Sequence, residues 1–307
     1  MTSPLLGGAI ANALGVFAEG KLSNYQPLID WDGKTYLGSE QKNLLPGQYS
    51  RETQLAIAVA NSLIECKGFD PNDLSKRYVD LFASNIIRAR GITTQMAVDN
   101  LIAGKHWSES GIAETTGNGN LVRIAPFAIW FRNDIKSMLE IVKIDSAITH
   151  ASVEAEAGAI AISLATAFAI NNDITEDILN RIHSFLPESK VKSSIYSLGS
   201  LIDAKQIAAS VALSFLGTKA NVMHTVPAVL YCFCRFKGYH EAVEAIIRSG
   251  NDCSTNAMVL GTLFGAKLGM SGIQKSFVDG VEDRDKLIVL DSQVYNRSGE
   301  RVLLLGT

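Results

Sequence analysis

Two short runs place carboxylates at the starts of helices. Tyr49-Ser-Arg-Glu-Thr-Gln54 opens a stretch in which Leu55, Ala58, Val59, Ser62 and Leu63 share one helical face. Gly250-Asn-Asp-Cys-Ser-Thr255 opens another, carrying Met258, Leu260, Leu263, Phe264 and Leu268. Side-chain oxygens at such positions cap free backbone N–H groups. Carboxylates brought together from several of them bind a hard cation instead. Spacing alone admits both readings. Ser50 with Thr53 and Gln54 suits a cap, and Glu52 suits the positive end of the helix dipole.

A third run, Gly117-Asn-Gly-Asn-Leu-Val-Arg-Ile-Ala-Pro126, sets a G-x-G turn before a helix. Backbone N–H groups exposed there can hold a phosphate, or simply lead the chain into the helix. A fourth feature is Thr149-His150, a histidine at a helix end. Such a residue serves as a cap or core hydrogen-bonder unless other chemistry is brought to it.

The elements that must position these residues are helical. The spacing predicts helices near 3–18, 50–66, 92–104, 120–132, 135–149, 151–170, 174–186, 203–216, 225–236, 239–249 and 253–269. Another starts at Asp70-Pro71, with Pro at its first position. Segment 20–48, rich in turn residues and aromatics, is expected to be an irregular surface loop. Leu287-Ile-Val-Leu290 and Val302-Leu-Leu-Leu305 flank a polar turn and predict a short C-terminal β-hairpin. No repeat or linker divides the chain, so a single domain of 1–307 is expected, with its core about 5–270 and an appendage at 271–307.

Composition narrows the partners. The 307 residues carry 28 basic and 31 acidic side chains, a net charge of -3. That leaves no basic field for nucleic acid and no polybasic run for an acidic membrane, so a small molecule or a protein is the expected partner. The longest apolar run, near 155–170, is Ala-rich and broken by Glu, Gly, Ser and Thr, and reads as a buried helix rather than a span. Four cysteines without C-x-x-C zinc spacing read as reduced thiols, which fits a cytoplasmic setting.

Taken in order, the four runs resemble the landmarks of the ADP-ribosylglycohydrolase family, which includes the dinitrogenase reductase-activating glycohydrolase. Gly7-Gly-Ala-Ile-Ala-Asn-Ala-Leu-Gly15, with Glu19 beyond it, is similar to the family's G-x-x-x-G-D-A-L-G start and following glutamate. Ser50-Arg-Glu-Thr-Gln54 falls where the family has T-D-D-T-Q. The run 117–126 resembles G-N-G-x-x-M-R-x-x-P, Ser146-Ala-Ile-Thr-His150 resembles S-A-x-T-H, and 250–255 stands where G-G-D-T-D-T is expected. The resemblance implies an all-α, single-domain fold and hydrolysis of a glycosidic bond between ADP-ribose and an acceptor, assisted by two Mg²⁺ or Mn²⁺ ions. By the same resemblance Glu19, Glu52 and Asp252 are the catalytic candidates. Arg51, Gly117, Asn118, Gly119, Asn120, Arg123 and His150 are the ligand-binding ones.

The departures fall at the chemistry. Arg51, Glu52 and Ser254 replace family aspartates, Asn12 replaces the aspartate of the opening motif, and Ala89-Arg90 precede Gly91-Ile-Thr-Thr94 where an acidic residue is expected. Four family carboxylates thus become two, Glu52 and Asp252, with a guanidinium added. Like charges at about 4 Å repel by roughly 4 kcal/mol at an effective dielectric of 20. The expectation is an impaired dinuclear site holding no ion, or one Mg²⁺ or Mn²⁺ on Ser50, Glu52, Asp252 and Thr255. Arg51 then either substitutes electrostatically for metal or points to solvent. The ligand would be ADP-ribose-like or nucleoside-like, free or on an ADP-ribosylated protein. The alternative is a catalytically inactive nucleotide-binding or structural relative.

Overall fold

The computed structural model describes residues 2–84 and 86–298. Three helices form its centre: α1 (Pro4–Gly15), α7 (Val153–Ile170) and α10 (Cys253–Leu268). Each is apolar or small on nearly every face, and a helix of that kind must be enclosed by others. Every residue of α1 is buried. Helix α7 has the length and apolarity of a membrane span, yet 83% of its 18 residues are buried within the chain's own core.

Around this centre stand further helices: α2 (Arg51–Cys66), α3 (Pro71–Ala83), α4 (Ile92–Ile102), the wholly buried α5 (Ala125–Trp130), α6 (Ile135–Thr149), α8 (Val222–Arg235), α9 (Tyr239–Arg248) and α11 (Arg284–Asn296). Helix α10 packs on α1, α7, α8 and α9, while α2 packs on α1, α3, α5 and α11. Asp70 caps α3 by accepting from the N–H groups of Asn72 and Asp73. Short helices at Ile178–Phe185, Lys190–Tyr196 and Leu198–Asp203 extend the shell on the far side. The only paired strands among the described residues are β1 (Ile112–Ala113) and β2 (His150–Ala151), parallel and two residues each.

The fit between α1 and α10 fixes the site. A Cβ on Gly7 would lie 2.5 Å from the Gly261 carbonyl oxygen, and one on Gly15 would lie 2.8 Å from the Cys253 carbonyl oxygen. The two backbones therefore nearly touch along their length, in a register that sets Asn12 against the start of α10.

The C-terminal hairpin is not found. Leu287–Leu290 lies inside α11, and Val302–Leu305 falls outside the described residues. The buried positions Leu287, Leu290, Asp291 and Val294 recur at helical spacing, and a run of four apolar residues cannot distinguish the two structures. Nor does α11 stand apart from the body. It packs on α1, α2 and α5, and Asp291 accepts from the N–H groups of Leu5 and Leu6, each at 3.0 Å, closing the start of α1. The loop at 20–48 is mostly irregular but contains a short helix, Gln26–Asp30, and closes on itself through the Ser39–Leu44 bridge.

Candidate functional site

The starts of α2 and α10 face each other across Asn12. Its Nδ2 lies 3.2 Å from Ser50 Oγ, 3.4 Å from Glu52 Oε2 and 3.3 Å from the Ser254 carbonyl oxygen. Its Oδ1 accepts from the Ser50 N–H at 2.8 Å and from Thr53 Oγ1 at 3.2 Å. An amide can donate and accept in this way where a carboxylate only accepts. Asn12 therefore ties the two helix starts together.

Neither helix is capped by its own side chain. Ser50 and Asp252 occupy the cap positions, but neither side chain bonds its own helix's N–H groups. The Ser50 hydroxyl turns to Glu52, and Asp252 Oδ2 accepts from Asn118 Nδ2 at 2.6 Å. The cap on α10 comes from elsewhere: Glu19 Oε2 accepts from the Ser254 N–H at 2.9 Å and from Ser254 Oγ at 2.8 Å. A carboxylate there is also favoured by the helix dipole. The simple cap reading of both runs thus gives way, because Glu52 and Asn12 claim the Ser50 hydroxyl and Asn118 claims Asp252.

Arg51 does not point to solvent. Its Nη2 lies 2.9 Å from Glu52 Oε1, and its Nη1 donates to the Ala89 carbonyl. The guanidinium fits against Gly91, where a Cβ would lie 3.0 Å from Arg51 Nε. It therefore fills the space beside the segment whose expected acidic residue is missing. Burial pushes the Glu52 carboxyl up, but Arg51, then Lys42, then the Ser50 hydroxyl outweigh this and hold it below the usual range. Asp252 moves the other way. Burial, and then the Glu19 carboxylate beside it, push its carboxyl well above the usual range. Two carboxyl groups in one neighbourhood are thus pushed in opposite directions.

The glycine loop closes the third side. Asn118 Nδ2 also donates to Thr225 Oγ1 at 2.8 Å, joining the loop to α8 as well as to Asp252. Gly117 and Gly119 lie against His150, where added Cβ atoms would sit 3.2–3.3 Å from Nε2. His150 Nδ1 is 2.7 Å from Thr149 Oγ1, which itself accepts from Arg123 Nη2 at 2.8 Å. This relay is satisfied when the threonine hydroxyl donates to Nδ1, leaving the ring proton on Nε2 toward the loop. Burial, with the Arg123 charge second, lowers the imidazole pKa to about 3, so the ring is neutral.

Arg51, Glu52, Thr93, Thr94, Gly117, Asn118, Gly119 and His150 line one cleft of about 240 Å³. Larger hollows of about 550 and 620 Å³ exist elsewhere, but they contain none of the candidate catalytic, ligand-binding or metal-ligating residues. Asp252, Thr255 and Glu19 do not line this cleft, and Asp252 adjoins it through Asn118. Asn120 and Arg123, expected to touch ligand, do not line the cleft either. Asn120 donates to Ser146 Oγ and the Ala155 carbonyl. Arg123, wholly buried, pairs with Asp145 at 2.9 Å and stacks over Tyr78. Both residues brace the loop from within. Their position in a loop motif gave no sign of which way they turn.

Sequence reasoning missed Lys42. It reaches in from the loop at 20–48, and its Nζ lies 3.8 Å from Glu19 Oε1. Nothing in the spacing of an irregular segment reveals such a direction. Gln54 was named only as part of a cap. It instead accepts from the Arg88 N–H and donates to the Ile86 carbonyl, fastening the strip that carries Ala89 to α2.

Comparisons with known proteins agree with this fold. A solved structure titled ADP-ribosylglycohydrolase-related protein complex superposes with a TM-score of 0.81 over 96% of each chain, at 22% identity. An uncharacterized protein of Archaeoglobus fulgidus is 25% identical, over 95% of this chain and 94% of its own. Human ADP-ribosylhydrolase ARH3 is 24% identical over 85% of this chain and 82% of its own. The ADP-ribosylarginine hydrolase Tri1 of Serratia proteamaculans is 22% identical over 96% of this chain and 79% of its own. The ADP-ribosylglycohydrolase family model matches residues 2–302, so it includes α11 as well as the motif-bearing core. With the ordered motifs gathered around one cleft and the match running nearly end to end, the chain belongs to the ADP-ribosylglycohydrolase family.

Proposed function

We propose that the cleft between α2, the glycine loop and His150 recognises the ribose-diphosphate part of an ADP-ribose-like ligand, and that it does so without a pair of divalent ions. The observation that carries this reading is the convergence of one guanidinium, the Gly117–Gly119 backbone and a neutral imidazole N–H on a single cleft. Arg51 offers donors in a planar fork suited to phosphate or vicinal oxygens. A cleft of about 240 Å³ is below the roughly 300–1,000 Å³ of pockets that enclose a whole ligand. It therefore suits one part of a nucleotide sugar, with the rest lying along the surface.

The donor set fits two divalent ions poorly. Of Ser50, Glu52, Asp252 and Thr255, only two carry carboxyl groups. One of these is paired with Arg51 and the other accepts from Asn118. Mg²⁺ requires near-octahedral oxygen donors that are free to turn toward it. Here both carboxyl donors are already committed, Arg51 stands beside Glu52, and Lys42 stands beside the neighbouring Glu19.

A hydrolytic reading of the same site is favoured by the Glu19–Asp252 pair. Burial and the Glu19 charge push the Asp252 carboxyl well above the usual range, and a pair of carboxyl groups in unlike surroundings is suited to acid and base roles in glycosidic cleavage. In that reading Glu19 is the acid/base group, Asp252 and Glu52 orient water, and the acceptor is a side chain of an ADP-ribosylated protein. Calorimetry with ADP-ribose in the presence of EDTA tests recognition, and a release assay on ADP-ribosylated protein under the same conditions tests hydrolysis. Micromolar binding in EDTA is expected. Binding that appears only when Mg²⁺ or Mn²⁺ is added refutes the metal-independent reading, and no binding under any condition refutes recognition.

A further inference from the structure

Lys42 is a buried ammonium without a hydrogen bond. Its side chain is only 14% exposed. Its Nζ is closed off from solvent, and it has no acceptor within hydrogen-bonding distance among the described residues. The nearest carboxylate oxygen, Glu19 Oε1, is 3.8 Å away. That distance supports an ion pair but leaves all three N–H donors unmet. A buried charge with unmet donors is costly unless something else completes its shell.

The position of this ammonium is specific. The other oxygen of Glu19 is fixed by Ser254 at the start of α10. The Lys42 charge also reaches Glu52 at the start of α2 and Cys253 beside Asp252. Lys42 thus stands among the carboxyl groups of both helix starts, where cations would otherwise gather. A loop with few periodic contacts delivers it there, held closed by the Ser39–Leu44 bridge.

We propose that Lys42 is the resident cation of the site: together with Arg51 its ammonium takes the place of divalent metal at the two helix starts, and it binds an oxygen of the ligand where the ligand reaches past the cleft wall toward Glu19. The binding half of this proposal rests on the reading that the site takes an ADP-ribose-like ligand. The metal half does not. A tethered ammonium donates to hydroxyl or phosphate oxygens alike, so ADP-ribose and ADP serve as paired probes.

The test uses the full-length protein, with Lys42→Met, Lys42→Arg and the double variant Lys42→Met/Arg51→Met. By calorimetry in EDTA, Lys42→Met is expected to weaken ADP-ribose by about tenfold or more, with Lys42→Arg recovering most of the loss. Equal weakening of ADP places the contact on phosphate, and weakening of ADP-ribose alone places it on ribose. Thermal melting of Lys42→Met is expected to match the parent protein, since the ammonium makes no hydrogen bond whose loss would unfold the chain. Mn²⁺ alone, followed by the loss of its free electron paramagnetic resonance signal, is expected to be ignored by the parent protein and bound by the double variant. Unchanged ADP-ribose affinity in Lys42→Met overturns the binding role, and a lowered melting temperature with unchanged affinity assigns Lys42 to the scaffold. Tight Mn²⁺ binding by the parent, or none by the double variant, overturns the resident-cation assignment. If the parent protein ignores ADP-ribose altogether, the functional reading fails while the Mn²⁺ comparison still decides the role of Lys42.

Discussion

His150 shows how a single side chain is given its chemical form by residues that never reach the cleft. Arg123 holds Thr149, Thr149 holds Nδ1, and the proton is left on Nε2 beside Gly117 and Gly119. Burial keeps the ring neutral, with its pKa lowered to about 3 from its ordinary value of 6.5. Because the folded value is depressed, the stabilisation is fully present above pH 6.5. It is lost as the pH falls from there toward about 3. At about pH 5 the penalty is roughly 2 kcal/mol. Urea unfolding of the parent protein and of His150→Asn should therefore show the parent's advantage shrinking between pH 7 and pH 5. A gap independent of pH contradicts a buried neutral imidazole. The histidine itself was legible in its T-H motif. The relay was not, because it depends on Arg123, 27 positions earlier, folding back beneath the loop. Arg51 was also legible, through its place beside Glu52, whereas Lys42 had no motif to mark it.

At the scale of elements, the close approach of α1 and α10 sets the distance between the two helix starts. A Cβ on Gly261 would meet the Gly7 carbonyl oxygen and the Ala11 Cβ, each at 2.5 Å. Neither backbone can yield without shifting the helix, so Gly261→Ala is expected to cost about 1–3 kcal/mol. The same shift would pull the Ser254 carbonyl away from Asn12, so ADP-ribose affinity should fall along with stability. Denaturation and calorimetry on that variant check both. A destabilised protein with parental affinity would show that the helix spacing does not govern the site. Long helices such as Arg51–Cys66 and Ile135–Thr149 could be read from apolar spacing. Lys190–Tyr196 and Leu198–Asp203 could not, since six or seven residues hold too little of a helical period to stand out. The same brevity made Leu287–Leu290 look like a strand.

For the whole molecule, one continuous hydrophobic core spans from Leu5 to Val294, and the family match covers the same extent. The all-helical class followed from periodicity. What the residue pattern left open was orientation: which cap side chains would be diverted, and which loop would supply a cation. Those outcomes depend on contacts between segments more than 100 residues apart, such as Asn118 with Asp252 and Glu19 with Ser254. The central claim is that Arg51 on the cleft wall and Lys42 beside Glu19, and not two metal ions, supply the positive charge at this site. A crystal structure of the protein grown with ADP-ribose and excess Mn²⁺, measured for anomalous scattering at the manganese edge, tests it most directly. The account predicts ADP-ribose density with diphosphate or ribose oxygens on Arg51 and the Gly117–Gly119 loop, and no anomalous peak between Glu52 and Asp252. Two manganese peaks bridging those carboxylates, with Arg51 and Lys42 displaced, would contradict it.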